Sequence, residues 1–277
     1  EELYQMLGDS WYYRKHADDA GKRQDYTQAI SFYKKSLEVD AGQTRLLANV
    51  AVAYHSLGSY EQALEYYRLR IDQGIDSSSA SILKNAGWAA LNFANNAGGE
   101  GEYEEEFEEE GMAEEPVDPN EYYQQAADLL IEYMKYTGVD EKVLLQVANT
   151  YLYNLNDCTN GVKYYQELLA LQPDNCDAKK SLGYAYFGGV CNKDFTKAIK
   201  YLTEANQCVN GASPCTDATL VLYIAQAYHL RAAAKMETKQ DAASDFEQAH
   251  RWYGKVLKCE PGNAAAKKGQ DDTQFEF

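Results

Sequence analysis

The chain of 277 residues carries a formal net charge of −17, which argues against nucleic acid as a partner and against attraction to an anionic membrane surface. It contains no run of about 18 apolar residues, so no stretch reads as a membrane-spanning helix. Proline is scarce at 5 residues and tyrosine abundant at 24. The prolines fall near expected turns, which leaves long stretches free to be helical, and the expected class is all-α.

The first expected unit is a pair of antiparallel helices, the first carrying Leu7, Gly8 and Trp11 and the second Ala29 and Tyr33. Small residues stand where two helices cross, and aromatic rings fill the gaps beside them. The second unit is the most regular. Leu47, Val50, Ala51 and Tyr54 recur at helical spacing, Gly58 turns the chain, and Ala63 and Tyr67 open the next helix. Ala29 and Tyr33 lie 34 residues before Ala63 and Tyr67, and a fixed period of this length marks a stack of repeated units. Gly8 and Ala29 are 21 residues apart, against 12 for Ala51 and Ala63. The extra residues, within Lys15 to Gln24, are expected to lengthen the two helices or their turn.

The third unit opens with Ile82, Leu83, Ala86, Gly87 and Trp88 and resumes at Tyr122 to Ala127. Between them lies an acidic insertion with a hinge-like start at Asn95 to Gly99. Twelve acidic residues and no basic one fall between Glu100 and Glu121, among them Glu104, Glu105, Glu106, Glu108, Glu109 and Glu110, so the remainder is only mildly acidic. Composition predicts a solvated, disordered loop, in which Tyr103 and Phe107 would give a short helix one apolar edge. Clustered carboxylates suit Ca²⁺, but the ordered Asp-x-Asp-x-Asp-Gly loop is missing, and a solvated charge run is the preferred reading. Docking onto a basic patch of a neighbouring copy, at Arg45, Arg68 and Arg70 or at Lys179 and Lys180, is a third.

The fourth unit runs from Val143 through Asn149 to Gly161, Tyr165 and Pro173. The fifth has Leu182, Gly183, Tyr186, Phe195, Ala198 and Ala205, with Gly183 34 residues after Asn149. The sixth carries Ala225 and Tyr228, then Ala249, Tyr253 and Pro261, with 24 residues from Ala225 to Ala249. A seventh helix begins after Pro261, and the chain closes on Phe275-Glu276-Phe277.

These residues resemble the tetratricopeptide repeat family, whose 34-residue unit has Leu-Gly-x-x-Tyr on helix A and Ala-x-x-x-Phe/Tyr…Pro on helix B. The matches are Leu182-Gly183…Tyr186, Ala63…Tyr67 and Gly161…Tyr165…Pro173, and they cover nearly the whole chain outside the acidic insertion and the last residues. The resemblance implies an α-solenoid of about six repeats wound as a right-handed superhelix, with a concave groove lined by A helices that binds a peptide or protein. Repeats are expected at 1–42, 43–77, 78–140 with the insertion at 98–120, 141–175, 176–214 and 215–262, followed by an aborted helix and tail at 263–277.

Asn49 and Asn85 occupy equivalent A-helix positions and are the groove candidates, since an amide side chain suits the backbone of an extended peptide. They resemble part of the carboxylate clamp of some relatives, but Gln146 and Val147 stand in the fourth repeat where the clamp's cations belong. His16, His55, His229 and His250 have no metal-ligand spacing, and neither a phosphate loop nor a nucleophile motif is present, so no enzyme activity, cofactor or metal is expected.

Six cysteines (Cys158, Cys176, Cys191, Cys208, Cys215 and Cys259) without Cys-x-x-Cys spacing read as a disulfide framework in a periplasmic or extracellular compartment. The chain begins at Glu1 without Met, as a processed or trimmed protein would. Buried free thiols in a cytosolic protein are the alternative. Cys158 and Cys191 fall in turns of adjacent repeats and are the first expected pair. Cys208 and Cys215 flank one loop and would close it; otherwise Cys176 takes Cys208 and Cys215 takes Cys259, or two thiols stay free.

The leading expectation is a non-enzymatic scaffold for a protein or peptide partner, with acidic surface favouring a basic one. The alternative is head-to-tail self-assembly into a filament or ring. It is motivated by Leu3, Tyr4 and Leu7 at one end and Phe275 and Phe277 at the other, because a solenoid needs terminal caps with a polar outer face to stay soluble, and one copy's end could accept the next copy's start.

Overall fold

In the computed structural model, which describes residues 1–14, 19–97, 117–211 and 215–274, every regular element among the described residues is a helix. The acidic insertion with Glu104 to Glu110, the Tyr103 and Phe107 edge, and Phe275 and Phe277 lie outside the described residues. The chain divides into two compact units, residues 1–143 and 144–277.

The first unit contains α1 (Glu2–Tyr12), α2 (Asp19–Leu37), α3 (Thr44–Leu57), α4 (Tyr60–Asp72), α5 (Ser81–Ala97) and α6 (Pro119–Thr137). α1 packs on α2, α3 on α4 and α5 on α6 as helical hairpins, each hairpin packs on the next, and the odd-numbered helices also touch side by side. Of the extra residues of the first repeat, Asp19 to Gln24 form the start of α2. Gly58 ends α3 at a φ of +82°, a left-handed turn that a side chain would resist. Hairpin closure depends on missing side chains: a Cβ at Gly87 would stand 2.8 Å from Leu130 of α6, and one at Gly8 would run into the Tyr33 ring. Tyr33 and Tyr67 are fully buried, and Tyr33 joins Ala29, Ile30, Leu46, Val50 and Ala53 in one cluster.

The second unit contains most of α7 (Glu141–Asn149), then α8 (Cys158–Leu171), α9 (Cys176–Gly188), α10 (Phe195–Asn210), α11 (Ala218–Glu237), α12 (Ala243–Cys259) and α13 (Ala264–Thr273). α9 pairs with α10 and α11 with α12, and α9, α11 and α13 touch in sequence. The seventh helix is thus present as α13, seated on the second hairpin through Ala266. α7 does not run straight on, as the pattern predicts for an A helix. It passes into a π-helical turn, Thr150–Asn154, where the Leu155 amide donates to the Thr150 carbonyl five residues back at 3.0 Å.

Three disulfides stand in this unit, Cys158–Cys191, Cys176–Cys208 and Cys215–Cys259, with Cα separations of 5.1, 5.9 and 5.2 Å. The loop pair Cys208–Cys215 is therefore replaced by the other expected arrangement. The reason is helical geometry: Cys176 starts α9 and Cys208 lies near the end of antiparallel α10, so the two share the open end of one hairpin. Cys215 just before α11 and Cys259 at the end of α12 do the same for the next.

Candidate partner-binding face

In each unit the A helices lie side by side, and residues between their buried stripes face outward on a common surface. In the first unit this surface is drawn together by polar contacts. The Arg45 guanidinium on α3 donates to both Asp9 carboxylate oxygens on α1, at 3.1 and 3.0 Å, and these bonds raise the Arg45 pKa further. The Tyr33 hydroxyl donates to Asp9 at 2.8 Å, and the Asn49 amide donates to that hydroxyl at 3.3 Å. Burial first, and Asp9 next, push the Tyr33 pKa far up. Asn49 therefore helps hold α2 and α3 together. Asn85, half-buried on α5, stands beside Lys84, whose ammonium reaches Asp140 at 3.1 Å. Farther along, the Asn92 amide meets the His55 ring at 3.4 Å.

The second unit repeats the Lys–Asp device. Lys180 of α9 reaches Asp217 at 3.5 Å, while the same carboxylate caps α11 by accepting from the Leu220 amide at 2.9 Å. Beyond it the surface turns aromatic. Tyr184 of α9 and Tyr223 of α11 have ring centres 4.8 Å apart, and Phe187 meets Tyr223 edge-on at 5.0 Å. Burial, with Asp217 and Tyr223 adding to it, pushes the Tyr184 hydroxyl up to about 12. The exposed Tyr153, on the π-helical turn, donates to the Ser181 carbonyl at 3.2 Å. Ser181 is the fifth-repeat counterpart of Asn49 and Asn85 by its place two residues before Gly183, as they stand two before Ala51 and Gly87. Neutral rings, hydroxyls and amides in a row suit an extended chain, offering flat apolar contact with hydrogen bonds at the edges.

The tetratricopeptide repeat family model matches residues 14–78 and 150–213, which contain α2, α3, α4, α8, α9 and α10. In these two stretches the chain carries tetratricopeptide repeats. The chain is 39% identical over 83 residues to the photosystem I assembly protein Ycf3 of Prochlorococcus marinus (strain NATL1A), a match covering 27% of this chain and 44% of that protein. For the Ycf3 of Synechococcus sp. (strain CC9311) the identity is 38% over 68 residues, covering 23% and 37%. The chain thus spans less than half the length of the curated relatives it matches. Among solved structures, the tetratricopeptide repeat protein YrrB, described as having an unusual peptide-binding site, superposes with a TM-score of 0.52 at 14% identity, covering 86% of this chain and 97% of that one. MamA superposes with a TM-score of 0.50 at 19% identity, covering 75% and 90%. At such identities the likeness extends to the fold, an α-solenoid.

Among the described residues no group of three His, Cys, Asp or Glu side chains is placed to hold a metal ion, and no helix is long and apolar enough to cross a membrane. Of the basic residues considered as docking points for acidic segments, Arg45 is held by Asp9, Arg70 donates to the Gly74 carbonyl at 2.8 Å and Lys180 pairs with Asp217. Leu3 and Met6 on α1 are 67% and 69% exposed, Tyr4 is exposed, and Leu7 is half-buried. Sequence reasoning missed Tyr153, Tyr184, Phe187 and Tyr223, the aromatic part of the face. Their signal was available: aromatic residues on A helices at positions that the repeat motif does not require.

Proposed function

We propose that the repeats bind an extended peptide or protein segment against the A-helix face, with the aromatic surface of α9 and α11 as its strongest part. The observation that carries this reading is the Tyr184–Tyr223–Phe187 cluster. Three large rings stand in mutual contact beside Ser181 and Lys180, with Phe187 also meeting Phe195 of α10. In the first unit, taken by itself, Asn49 and Asn85 are the amide candidates for contact with peptide backbone. A basic partner is favoured, because the net charge of −17 speeds its encounter. The three disulfides support an oxidising, extracytoplasmic compartment as the place of action.

Selection of peptides from a random displayed library tests this, followed by calorimetry of the selected sequences on the native protein and on Tyr223→Ala and Asn85→Ala. Enriched peptides that lose about tenfold in affinity on Tyr223→Ala support the reading. Peptides that bind the variants as tightly as the native protein would sink it.

A second reading, self-assembly through α1, is motivated by the exposed Leu3, Tyr4 and Met6. Light scattering across a concentration series decides it: a mass that does not change with concentration removes it.

A further inference from the structure

The first unit offers two crevices between successive B helices, on the side away from the A-helix face, and they differ in a way that the sequence explains. The first lies between α2 and α4, with Leu37, Leu47, Tyr66 and Leu69 in its lining, Lys34 and Glu38 at its rim, and a volume of about 310 Å³. The second lies between α4 and α6 over the start of α5. Ile71, Leu83 and Leu129 form its floor, Glu121, Asp128 and Glu132 its rim, and its volume is about 640 Å³.

The buried stripes of the two B helices correspond residue for residue: Ala63, Leu64 and Tyr67 on α4 match Ala126, Ala127 and Leu130 on α6. By the same register Tyr66 corresponds to Leu129 and Leu69 to Glu132. Where α4 narrows the first crevice with a tyrosine and a leucine, α6 offers a leucine and a glutamate. The second crevice is left twice as large and acquires acid in place of an apolar side chain. Its lining holds no cation. The cations nearby are Lys135, which engages Glu132 from the same helix at 2.5 Å, and Arg68 of α4 near Tyr122. An apolar floor under three carboxylates selects for apolar side chains flanked by positive charge and rejects acidic ones.

We propose that the α4–α6 crevice is a second docking surface, taking a basic amphipathic segment of a partner protein with leucine-like side chains in the floor and lysine or arginine against Glu121, Asp128 and Glu132. This surface is separate from the A-helix face and does not depend on how that face is used.

The test uses the full chain and a synthetic helical peptide about 15 residues long, with leucines at i, i+3, i+4 and i+7 and lysines elsewhere. A control peptide carries glutamate for every lysine. The expected result is binding of the lysine peptide, shifts of the Ile71, Leu83 and Leu129 methyl resonances, and no binding of the control. Leu129→Tyr with Glu132→Leu, which rebuilds the crevice as its neighbour is built, weakens binding at least about tenfold. Glu121→Lys with Asp128→Lys, both exposed, does the same. Circular dichroism checks that both variants stay helical. Unchanged affinity in the two variants, equal binding of the glutamate peptide, no binding at all, or methyl shifts confined to other residues would each overturn the proposal.

Discussion

Gly161 of α8 lies against Leu152 of the π-helical turn so closely that a Cβ at position 161 would come within 2.8 Å of the Leu152 Cβ and 3.0 Å of its backbone nitrogen. In the fifth repeat the missing side chain is on the A helix: a Cβ at Gly183 would stand 2.5 Å from Leu202. In the fourth repeat Asn149 occupies that A-helix place, with its side chain accepting from the Tyr165 hydroxyl. The wider π turn that follows carries Leu152 towards α8, so the close approach moves to the B helix. Gly161→Ala is therefore expected to destabilise the second unit by about 1–3 kcal/mol despite alanine's better helix propensity, because the obstacle is backbone. Gly254→Ala is the control. Its Cβ would meet only the end of the Gln270 side chain, at 3.0 Å, and urea titration should show it neutral or slightly stabilising.

The three disulfides close segments with sequence separations of 33, 32 and 44 residues, all within residues 144–277. In the chain-entropy account each contributes about 4 kcal/mol by restricting the unfolded state. Reduction should therefore melt or loosen the second unit, while the first, which has no cysteine, keeps its protection. Hydrogen exchange followed by mass spectrometry, with and without reductant, reads both units in one sample. Equal loss of protection in residues 1–97 would contradict this.

His55 packs edge-on against Tyr60 and Tyr67 at ring separations of 5.4 and 6.4 Å, with the Asn92 amide at 3.4 Å. Burial lowers its pKa below the usual 6.5. The unfolded chain then takes up a proton at a higher pH than the folded one, so stability is complete above about 6.5 and falls as the pH drops below it. A His55→Gln variant should lose this slope in the first unit below about pH 6.5, measured as denaturation midpoint against pH, while its stability at pH 8 changes little.

The repeats were legible in the sequence because their packing recurs: Tyr33 and Tyr67 are fully buried where the 34-residue spacing puts them, and Tyr165 is fully buried where the Gly161…Tyr165…Pro173 motif puts it. The Cys158–Cys191 bridge was legible for the same reason, since both residues mark turns of adjacent repeats. Choosing Cys176–Cys208 over the Cys208–Cys215 loop required knowing that α9 and α10 close into a hairpin with Cys176 and Cys208 at its open end. The π turn left only an indirect mark, an asparagine at 149 and a glycine at 161 in exchanged places. The crevice between α4 and α6 stayed hidden because Leu129 and Glu132 differ from Tyr66 and Leu69 at positions the motif leaves unspecified.

Asp217 holds two elements at once, the first turn of α11 through the Leu220 amide and α9 through Lys180. The cap and the ion pair separate by mutation. Asn keeps an oxygen that can accept from the Leu220 amide but removes the charge that Lys180 meets across 3.5 Å in a half-exposed setting, so Asp217→Asn should cost no more than about 1 kcal/mol. Asp217→Ala removes both and leaves the α11 amide unsatisfied, for a loss of about 1–2 kcal/mol. The same substitutions should lower the Tyr184 pKa, because Asp217 stands second after burial among the causes that raise it. Spectrophotometric titration of tyrosine ionisation in the two variants would show the fall in both, by a similar amount. A fall in the alanine variant alone would mean that the shift comes from repacking of α11 and not from the Asp217 charge.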